Sequence, residues 1–155
     1  MSGAFRTASG GRVDRGKPLS FSFDGRRYLG LQGDTLASAL LANGVHLVGR
    51  SFKYHRPRGI LSAGSEEPNA LVTVTRGGGR LTPNLRATQV ELYEGLVAHS
   101  QNRWPSLQWD IGAVSGMLAP LVPAGFYYKT FMGPRFLGSN WAWTHIYEPL
   151  IRRAA

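Results

Sequence analysis

The stretch Leu19-Ser-Phe-Ser-Phe-Asp-Gly-Arg-Arg-Tyr-Leu-Gly-Leu31 decides how the fold begins. Apolar and polar residues alternate from Leu19 to Phe23, which is the period of a strand with one buried face. Asp24-Gly25 is a strong signal for a two-residue hairpin turn, and Arg27 to Leu31 can return as the partner strand. We therefore expect an antiparallel hairpin at the start of the folded region.

A short helix is predicted directly after this hairpin. Asp34 or Thr35 can cap the first free N–H groups of a helix that starts at Leu36, because their side-chain oxygens accept such bonds. The segment up to Asn43 is rich in Ala and Leu, which are strong helix formers. Gly44 can supply the left-handed residue that ends the helix.

The region from Val45 to Tyr93 alternates irregular and extended segments. Val45 to Val48 is predicted as a short extended run, and Arg50 to Pro68 as a long irregular loop broken by proline and glycine. Ala70 to Thr75 has the pattern of a strand, and Gly77-Gly-Gly79 indicates a turn. Leu81 and Gln89 to Tyr93 are predicted to provide one or two more strands. This order of predicted strands, helix and loops is that of an α+β protein with the β-grasp arrangement, in which a small mixed sheet packs around one helix.

The sequence divides into three parts. Residues 1–17 are predicted as a flexible N-terminal segment, residues 18–99 as the β-grasp domain, and residues 100–155 as an aromatic-rich helical extension. Asp110 is expected to cap one helix of the extension, and Trp141 to Arg153 to form another that ends in two cations, which favour a helix C-terminus. The extension either packs on other polypeptide or completes the core of this domain.

Composition limits the chemistry that the chain can perform. The formal net charge is +9, which suits anionic cofactors, an acidic partner or nucleic acid, but the basic residues are scattered. Cysteine is absent, which excludes disulfides, thiol catalysis and cysteine-ligated iron–sulfur clusters and fits a reducing cytoplasm. The N-terminus lacks the apolar core of a signal peptide. Residues 111–128 carry no charge, but their prolines and glycines argue against a membrane span.

The stretch from Gly33 to Val74 closely resembles the start of the alpha subunits of heterotetrameric sarcosine oxidases. Phe126 to Met132 and Tyr147 to Ala155 are similar to the continuation of the same subunits, so the resemblance covers about Arg12 to the C-terminus. It implies a flavoprotein complex, an oxidoreductase that converts sarcosine to glycine and reduces O₂ to peroxide. It also implies FAD, NAD and covalently bound FMN in the whole complex, with beta, gamma and delta subunits as partners. Neither nucleic acid nor a membrane is expected as a partner.

The resemblance also implies a β-grasp module that binds a [2Fe–2S] cluster in related dehydrogenases. Those modules carry a C-x4-C-x2-C loop just before a strand like Leu71 to Val74. In this sequence the pattern falls on Ser62, Glu67 and Ala70, so we expect no iron–sulfur cluster and no cofactor bound by this chain alone. The resemblance further implies a dinucleotide-binding domain beyond Ala155, and the G-x-G-x-x-G turn with which such a domain opens does not occur in this sequence. We expect no complete active site within the chain.

Two groups of residues are candidates for binding. The densest basic cluster lies in the irregular loop and comprises Arg50, Lys53, His55, Arg56 and Arg58. It can bind a flavin phosphate or an acidic partner. Alternatively its role is structural, and its arginines bind carbonyl groups of the loop and nearby glutamates. The second group consists of large aromatic residues, which are enriched at subunit interfaces; its members are Trp104, Trp109, Tyr127, Tyr128, Phe131, Trp141 and Trp143.

Other constellations are weaker. Glu66 and Glu67 are adjacent carboxylates that can act as an acid–base pair, or are solvated or paired with arginine. The four histidines lack the spacing of metal ligands, and no serine lies in a nucleophile elbow. A stand-alone basic module that binds nucleic acid or another anion is the alternative function. Its binding would weaken steeply with salt, whereas aromatic docking on protein would not.

Overall fold

The computed structural model describes residues 4–117, 141 and 143–154. The helices and strands, in chain order, are β1 (Asp14–Phe23), β2 (Arg26–Gln32), α1 (Leu36–Ala42), β3 (Gly49–Arg50), β4 (Pro57–Arg58), β5 (Leu71–Arg76), a 3-10 turn (Gly77–Gly79), β6 (Arg80–Arg86), β7 (Leu96–Ser100), a 3-10 helix (Ile111–Gly116), a π-helical turn (Trp143–Tyr147) and α2 (Glu148–Ala154).

The predicted hairpin and helix are confirmed. β1 pairs antiparallel with β2, and the turn between them places Asp24 and Gly25 at φ 49° and 79°, the left-handed values that such a turn requires. Thr35 caps α1 by accepting a hydrogen bond from the Ser38 N–H, while the Ser38 hydroxyl accepts one from the Thr35 N–H. Gly44 follows the helix at φ 74°, as expected for the residue that ends it.

Five strands form one mixed sheet in the order β2-β1-β7-β5-β6. β7 lies at the centre, parallel to β1 on one side and antiparallel to β5 on the other. β3 and β4 form a separate two-stranded ladder within the segment predicted to be irregular. The arrangement is mixed α/β and is consistent with the expected β-grasp fold.

The prediction of a strand at Gln89 to Tyr93 was wrong. These residues form turns and a single bridge between Thr35 and Glu91, and the last strand of the sheet is Leu96–Ser100 instead. Leu96 and Ala98 are fully buried, because they lie between strands contributed by distant parts of the chain. Local composition does not distinguish the two segments, since both contain the apolar residues that strands favour.

The core lies between α1 and the sheet. Side chains from the helix, the sheet strands and the loops converge there; its largest fully buried apolar members are Phe21, Leu36, Leu40, Val48, Val72, Val74 and Leu96. β1 begins at Asp14, ahead of residue 18, where the domain boundary was predicted. Before it, Arg6 forms an ion pair with Asp34, whose side chain is buried.

The extension contains short helical elements where it is described. Asp110 caps the 3-10 helix by accepting a hydrogen bond from the Gly112 N–H, as predicted for a helix start. The predicted C-terminal helix is confirmed in the π-helical turn and α2, which has Arg152 and Arg153 in its last turn. No helix within the described parts of the chain is long and apolar enough to cross a membrane.

Candidate functional site

The loop that precedes β5 closes around the carboxylate of Glu67, whose residue is 0% exposed. One oxygen, Oε2, accepts hydrogen bonds from the backbone N–H groups of Leu61 at 2.7 Å and Ser62 at 2.6 Å. The other oxygen, Oε1, accepts from the N–H groups of Asn69 at 2.7 Å and Ala70 at 3.1 Å. Four backbone donors therefore converge on one side chain.

These donors keep the buried carboxylate ionised. Burial alone would raise the pKa of Glu67, but the N–H groups of Ser62, Asn69, Leu61 and Ala70 lower the pKa below its ordinary value. The backbone of Glu67 is also held, because the Arg86 guanidinium donates to its carbonyl oxygen at 3.1 Å. This loop has a specific internal structure although its sequence shows no regular period.

The adjacent glutamates therefore differ from the acid–base or solvated pair considered from sequence. Glu66 is exposed and accepts a hydrogen bond from the Gly64 N–H at 3.1 Å, whereas Glu67 is buried and serves the loop. No arginine side chain is hydrogen-bonded to the Glu67 carboxylate in the described structure, where its donors are backbone N–H groups and the Ser62 hydroxyl.

Arg50 is the buried member of the basic cluster, with its side chain 9% exposed. Its guanidinium donates to the carbonyl oxygens of Leu107 and His55, and lies 3.4 Å from the carboxylate of Asp110. His55 Nδ1 lies 2.7 Å from the same carboxylate. These two members of the cluster are therefore engaged within the domain, as in the structural alternative.

The other three members lie nearer to solvent. Lys53 and Arg56 both lie 4.9 Å from the centre of the Tyr54 ring, which is a cation–π distance. Arg58 is exposed and donates to the side chain of Asn69, beside the Glu67 loop. The structure thus separates the predicted cluster into an inner pair and an outer basic face.

Asp110 has a role beyond the helix capping that its sequence position predicts. Its side chain is fully buried and also accepts a hydrogen bond from the Trp104 N–H at 2.9 Å. Burial alone would raise the pKa of Asp110, but the bonds from Trp104, His55 and Gly112 lower the pKa below its ordinary value. The cap signal was visible in the sequence, but the pairing with His55 spans 55 residues and was not.

Several of the predicted interface aromatics are exposed. Trp104 and Trp109 lie in the loop before the 3-10 helix, and Trp141 lies near the C-terminus, where its ring stacks on His145 at 4.9 Å. Ile111, Val114 and Met117 add exposed apolar side chains beside the first two. Tyr127, Tyr128, Phe131 and the side chain of Trp143 lie outside the described residues.

Comparison with known families identifies the folded region. Residues 16–103 match the family described as a 2Fe-2S iron-sulfur cluster binding domain. The chain belongs to this family. The match includes the whole five-stranded sheet except the start of β1, together with the Glu67 loop and the basic cluster.

The resemblance to the sarcosine oxidase alpha subunit is also confirmed. The chain is 68% identical over 152 residues to the sarcosine oxidase subunit alpha of Rhizobium meliloti (strain 1021), covering 98% of this chain and 15% of that protein. It is 44% identical over 95 residues to the subunit alpha of Corynebacterium sp. (strain U-96), covering 58% of this chain and 10% of that protein. The chain thus spans a small part of the length of these relatives. A crystal structure of L-proline dehydrogenase from P. horikoshii is 27% identical, with a TM-score of 0.46, over 57% of this chain and 16% of that one.

The residues of this 2Fe-2S domain do not fit an iron–sulfur cluster. The chain contains no cysteine, and the resemblance implies Ser62, Glu67 and Ala70 at the loop positions of the cluster ligands. Ala70 has no donor atom in its side chain, and oxygen donors suit iron–sulfur iron poorly. No group of three or more residues with metal-binding side chains occurs in the described part of the chain. The Glu67 carboxylate is already fully engaged by the loop itself.

Proposed function

We propose that this 2Fe-2S domain is a scaffold and interface module of a sarcosine oxidase alpha subunit, with no complete active site of its own. The observation that carries the proposal is the loop of the family, which is closed by a buried glutamate where ligands for a cluster would lie. A module without its redox centre can still contribute folded surface to a larger assembly. The 68% identity to the sarcosine oxidase subunit alpha of Rhizobium meliloti supports this choice of assembly.

The proposed complex oxidises sarcosine to glycine and reduces O₂ to peroxide. Its FAD, FMN and NAD are held outside this chain, by the remaining alpha-subunit domains and by the beta, gamma and delta subunits. The module belongs to a β-grasp fold with an aromatic-rich extension, and it acts in the cytoplasm. Its role is to present surfaces on which these neighbouring parts assemble.

One proposed surface is the apolar loop that contains Trp104 and Trp109. Trp109 is 82% exposed and Trp104 is 65% exposed, so both rings are available for burial against another polypeptide. The loop is held in shape by bonds that do not involve the rings, including Ile111 N–H to Trp104 O at 2.8 Å. A rigid loop with exposed tryptophans loses little conformational entropy on binding, which favours an interface.

The second proposed surface is the outer basic face of Lys53, Arg56 and Arg58. Arginine forks match carboxylate and phosphate oxygens, so this face is proposed to meet an acidic partner surface or a flavin phosphate. Replacing Arg56 and Arg58 by alanine in the assembled complex tests this role. Loss of flavin or of subunit association that is largest at low salt, and that shrinks as salt screens the unsubstituted face, supports it, whereas an unchanged complex contradicts it.

The central experiment compares the four-subunit complex with and without residues 1–155 of the alpha subunit. Molar mass by light scattering reports assembly, visible absorbance reports flavin content, and peroxide release reports turnover. We expect deletion to reduce assembly or flavin retention. A truncated complex that assembles, holds flavin and turns over normally would contradict the scaffold role.

A matched pair of variants tests the aromatic surface without deleting the domain. Trp104→Ser with Trp109→Ser should weaken association of the alpha subunit with its partners, since exposed interface rings are removed. Leu81→Ser is the control, because Leu81 is 64% exposed on β6, outside the proposed surface. Equal effects of the two changes would contradict a specific interface at the tryptophans.

Binding of the 155-residue chain to single-stranded nucleic acid that weakens steeply with salt would favour the alternative function.

A further inference from the structure

The three loop positions that correspond to cluster ligands converge on a single anion. Glu67 supplies the carboxylate, Ser62 donates its backbone N–H and lies with its hydroxyl 3.4 Å from Oε2, and Ala70 donates its N–H. Leu61 and Asn69 complete the set of donors. Backbone N–H groups that point into one concavity form an anion-binding site, and such sites hold phosphates and iron–sulfur clusters in other proteins.

We propose that this loop is an anion site filled by the chain's own Glu67 carboxylate, and that removing this side chain opens a site for a small carboxylate such as formate. The proposal concerns the loop itself and does not depend on the proposed role in a sarcosine oxidase. This proposal gives a physical reason why a domain of a 2Fe-2S family folds here without cysteine ligands for a cluster. The loop retains its cradle of donors, and an internal anion replaces the inorganic one.

The geometry explains why the cradle requires an occupant. Four N–H groups face the carboxylate, and buried donors that lack a partner are destabilising, since they lose their bonds to water without replacement. Each carboxylate oxygen binds one end of the loop: Oε2 accepts from Leu61 and Ser62, while Oε1 accepts from Asn69 and Ala70. The anion therefore joins the start of the loop to the start of β5.

Formate is the appropriate probe for the vacated space. Glu67→Ala removes Cγ and the carboxylate group, and formate supplies one carbon with two oxygens. A formate carbon keeps about 3.5 Å from the alanine methyl carbon, which is more than the Cβ–Cδ separation in glutamate, so the loop opens slightly to admit it. Formate can then accept from the same four N–H groups that Glu67 engages.

The first test uses urea unfolding of the 155-residue chain with sodium formate or with sodium chloride at equal concentration. Glu67→Ala should have a lower unfolding midpoint than the unsubstituted chain, and formate should raise that midpoint in a saturable way that chloride does not reproduce. The unsubstituted chain and the control Glu66→Ala, at the exposed neighbouring carboxylate, should respond equally to both salts. If Glu67→Ala is as stable as Glu66→Ala, or formate is no better than chloride, the proposal is overturned.

A residue-specific measurement distinguishes a loss of hydrogen bonds at the four loop N–H groups from a general loss of stability. Amide hydrogen exchange of Leu61, Ser62, Asn69 and Ala70 should accelerate at least tenfold in Glu67→Ala and slow again with formate, while Val74 in β5 changes less. Equal acceleration at all of these sites would overturn the proposal.

If Glu67→Ala does not fold in either salt, Glu67→Gln is used to test the proposal instead. The amide is nearly the same size but turns an N–H₂ group toward N–H donors, and it leaves no space for formate. We expect at least a tenfold smaller folding equilibrium constant and no specific response to formate. A Glu67→Gln chain as stable as the unsubstituted one would overturn the proposal.

Discussion

His55 Nδ1 lies 2.7 Å from Asp110 Oδ2, across 55 residues of sequence. The contact joins the basic loop to the loop that presents Trp104 and Trp109, so the two proposed surfaces share one buried carboxylate. Arg50 lies 3.4 Å from the same oxygen and also donates to the Leu107 carbonyl. The relative position of the surfaces therefore depends on Asp110.

Asp110→Asn should lower the free energy of unfolding by about 2–4 kcal/mol. The change removes a buried charge and leaves Arg50 and His55 with a weaker acceptor, and breaking one partner of a buried ion pair is costly. Urea unfolding of the 155-residue chain measures the effect. Glu91→Gln is the control, because Glu91 is exposed, and it should change stability by less than about 0.5 kcal/mol.

Gly112→Ala should displace His55 from Asp110. A Cβ atom at this position would lie 2.3 Å from His55 Cε1 and 2.4 Å from Nδ1, well inside contact distance. Overpacking of this kind costs about 1–3 kcal/mol, and unfolding midpoints would report it. Gly77→Ala is the matched control, since nothing lies within 4 Å of its added Cβ. Comparable losses in both variants would argue against a steric origin at His55.

Arg6→Ala should destabilise the domain although Arg6 precedes the first strand. Asp34 is buried, and the Arg6 guanidinium donates to both of its oxygens, one at 3.1 Å. Among the described residues, removing Arg6 leaves a buried carboxylate with only the Leu31 N–H and Ser38 hydroxyl as donors. We expect a loss of about 2–3 kcal/mol in unfolding free energy. Arg12→Ala, at an exposed position nearby, should be close to neutral.

The folded state should lose stability in acid partly through Asp34. Burial would raise the pKa of Asp34, but hydrogen bonds from Arg6, Leu31 and Ser38 lower the pKa below its ordinary value. An unfolded aspartate titrates at about pH 3.9, so the stabilisation is complete above that pH and is lost as the pH falls through the folded pKa. Urea unfolding between about pH 2.5 and pH 6 should show a shallower acid slope in Asp34→Asn. An identical slope would contradict the lowered pKa.

Local patterns in the sequence were sufficient for the hairpin, α1 and β5. Asp24-Gly25 and the Thr35 cap act over a few residues, so their physical causes are contained in short segments. β7 was missed because Leu96–Ser100 becomes a central strand only through pairing with β1 and β5. Gln89 to Tyr93 has comparable strand-forming residues but pairs only through the bridge at Glu91.

The candidate site was only partly predictable for the same reason. The basic cluster was found from its density, but its division into Arg50 and His55 inside and Arg56 and Arg58 outside depends on where Asp110 lies. The positions of the missing cluster ligands followed from the resemblance. The resemblance did not predict that the carboxylate of Glu67 fills the loop, because the neighbouring Glu66 has the same side chain and is exposed.

By itself the sequence determined that this chain lacks thiolate ligands, that it begins with a hairpin and a capped helix, and that it resembles the sarcosine oxidase alpha subunit. Composition is sufficient for the first conclusion and short-range backbone preferences for the second, whereas the third rests on the resemblance carried by the stretch from Gly33 to Val74. Only the tertiary structure decided which of two adjacent glutamates is buried, which aspartate binds His55, and which strand occupies the centre of the sheet. Those outcomes depend on hydrogen bonds and burial between segments far apart in sequence, where identical side chains have different energies because their surroundings differ.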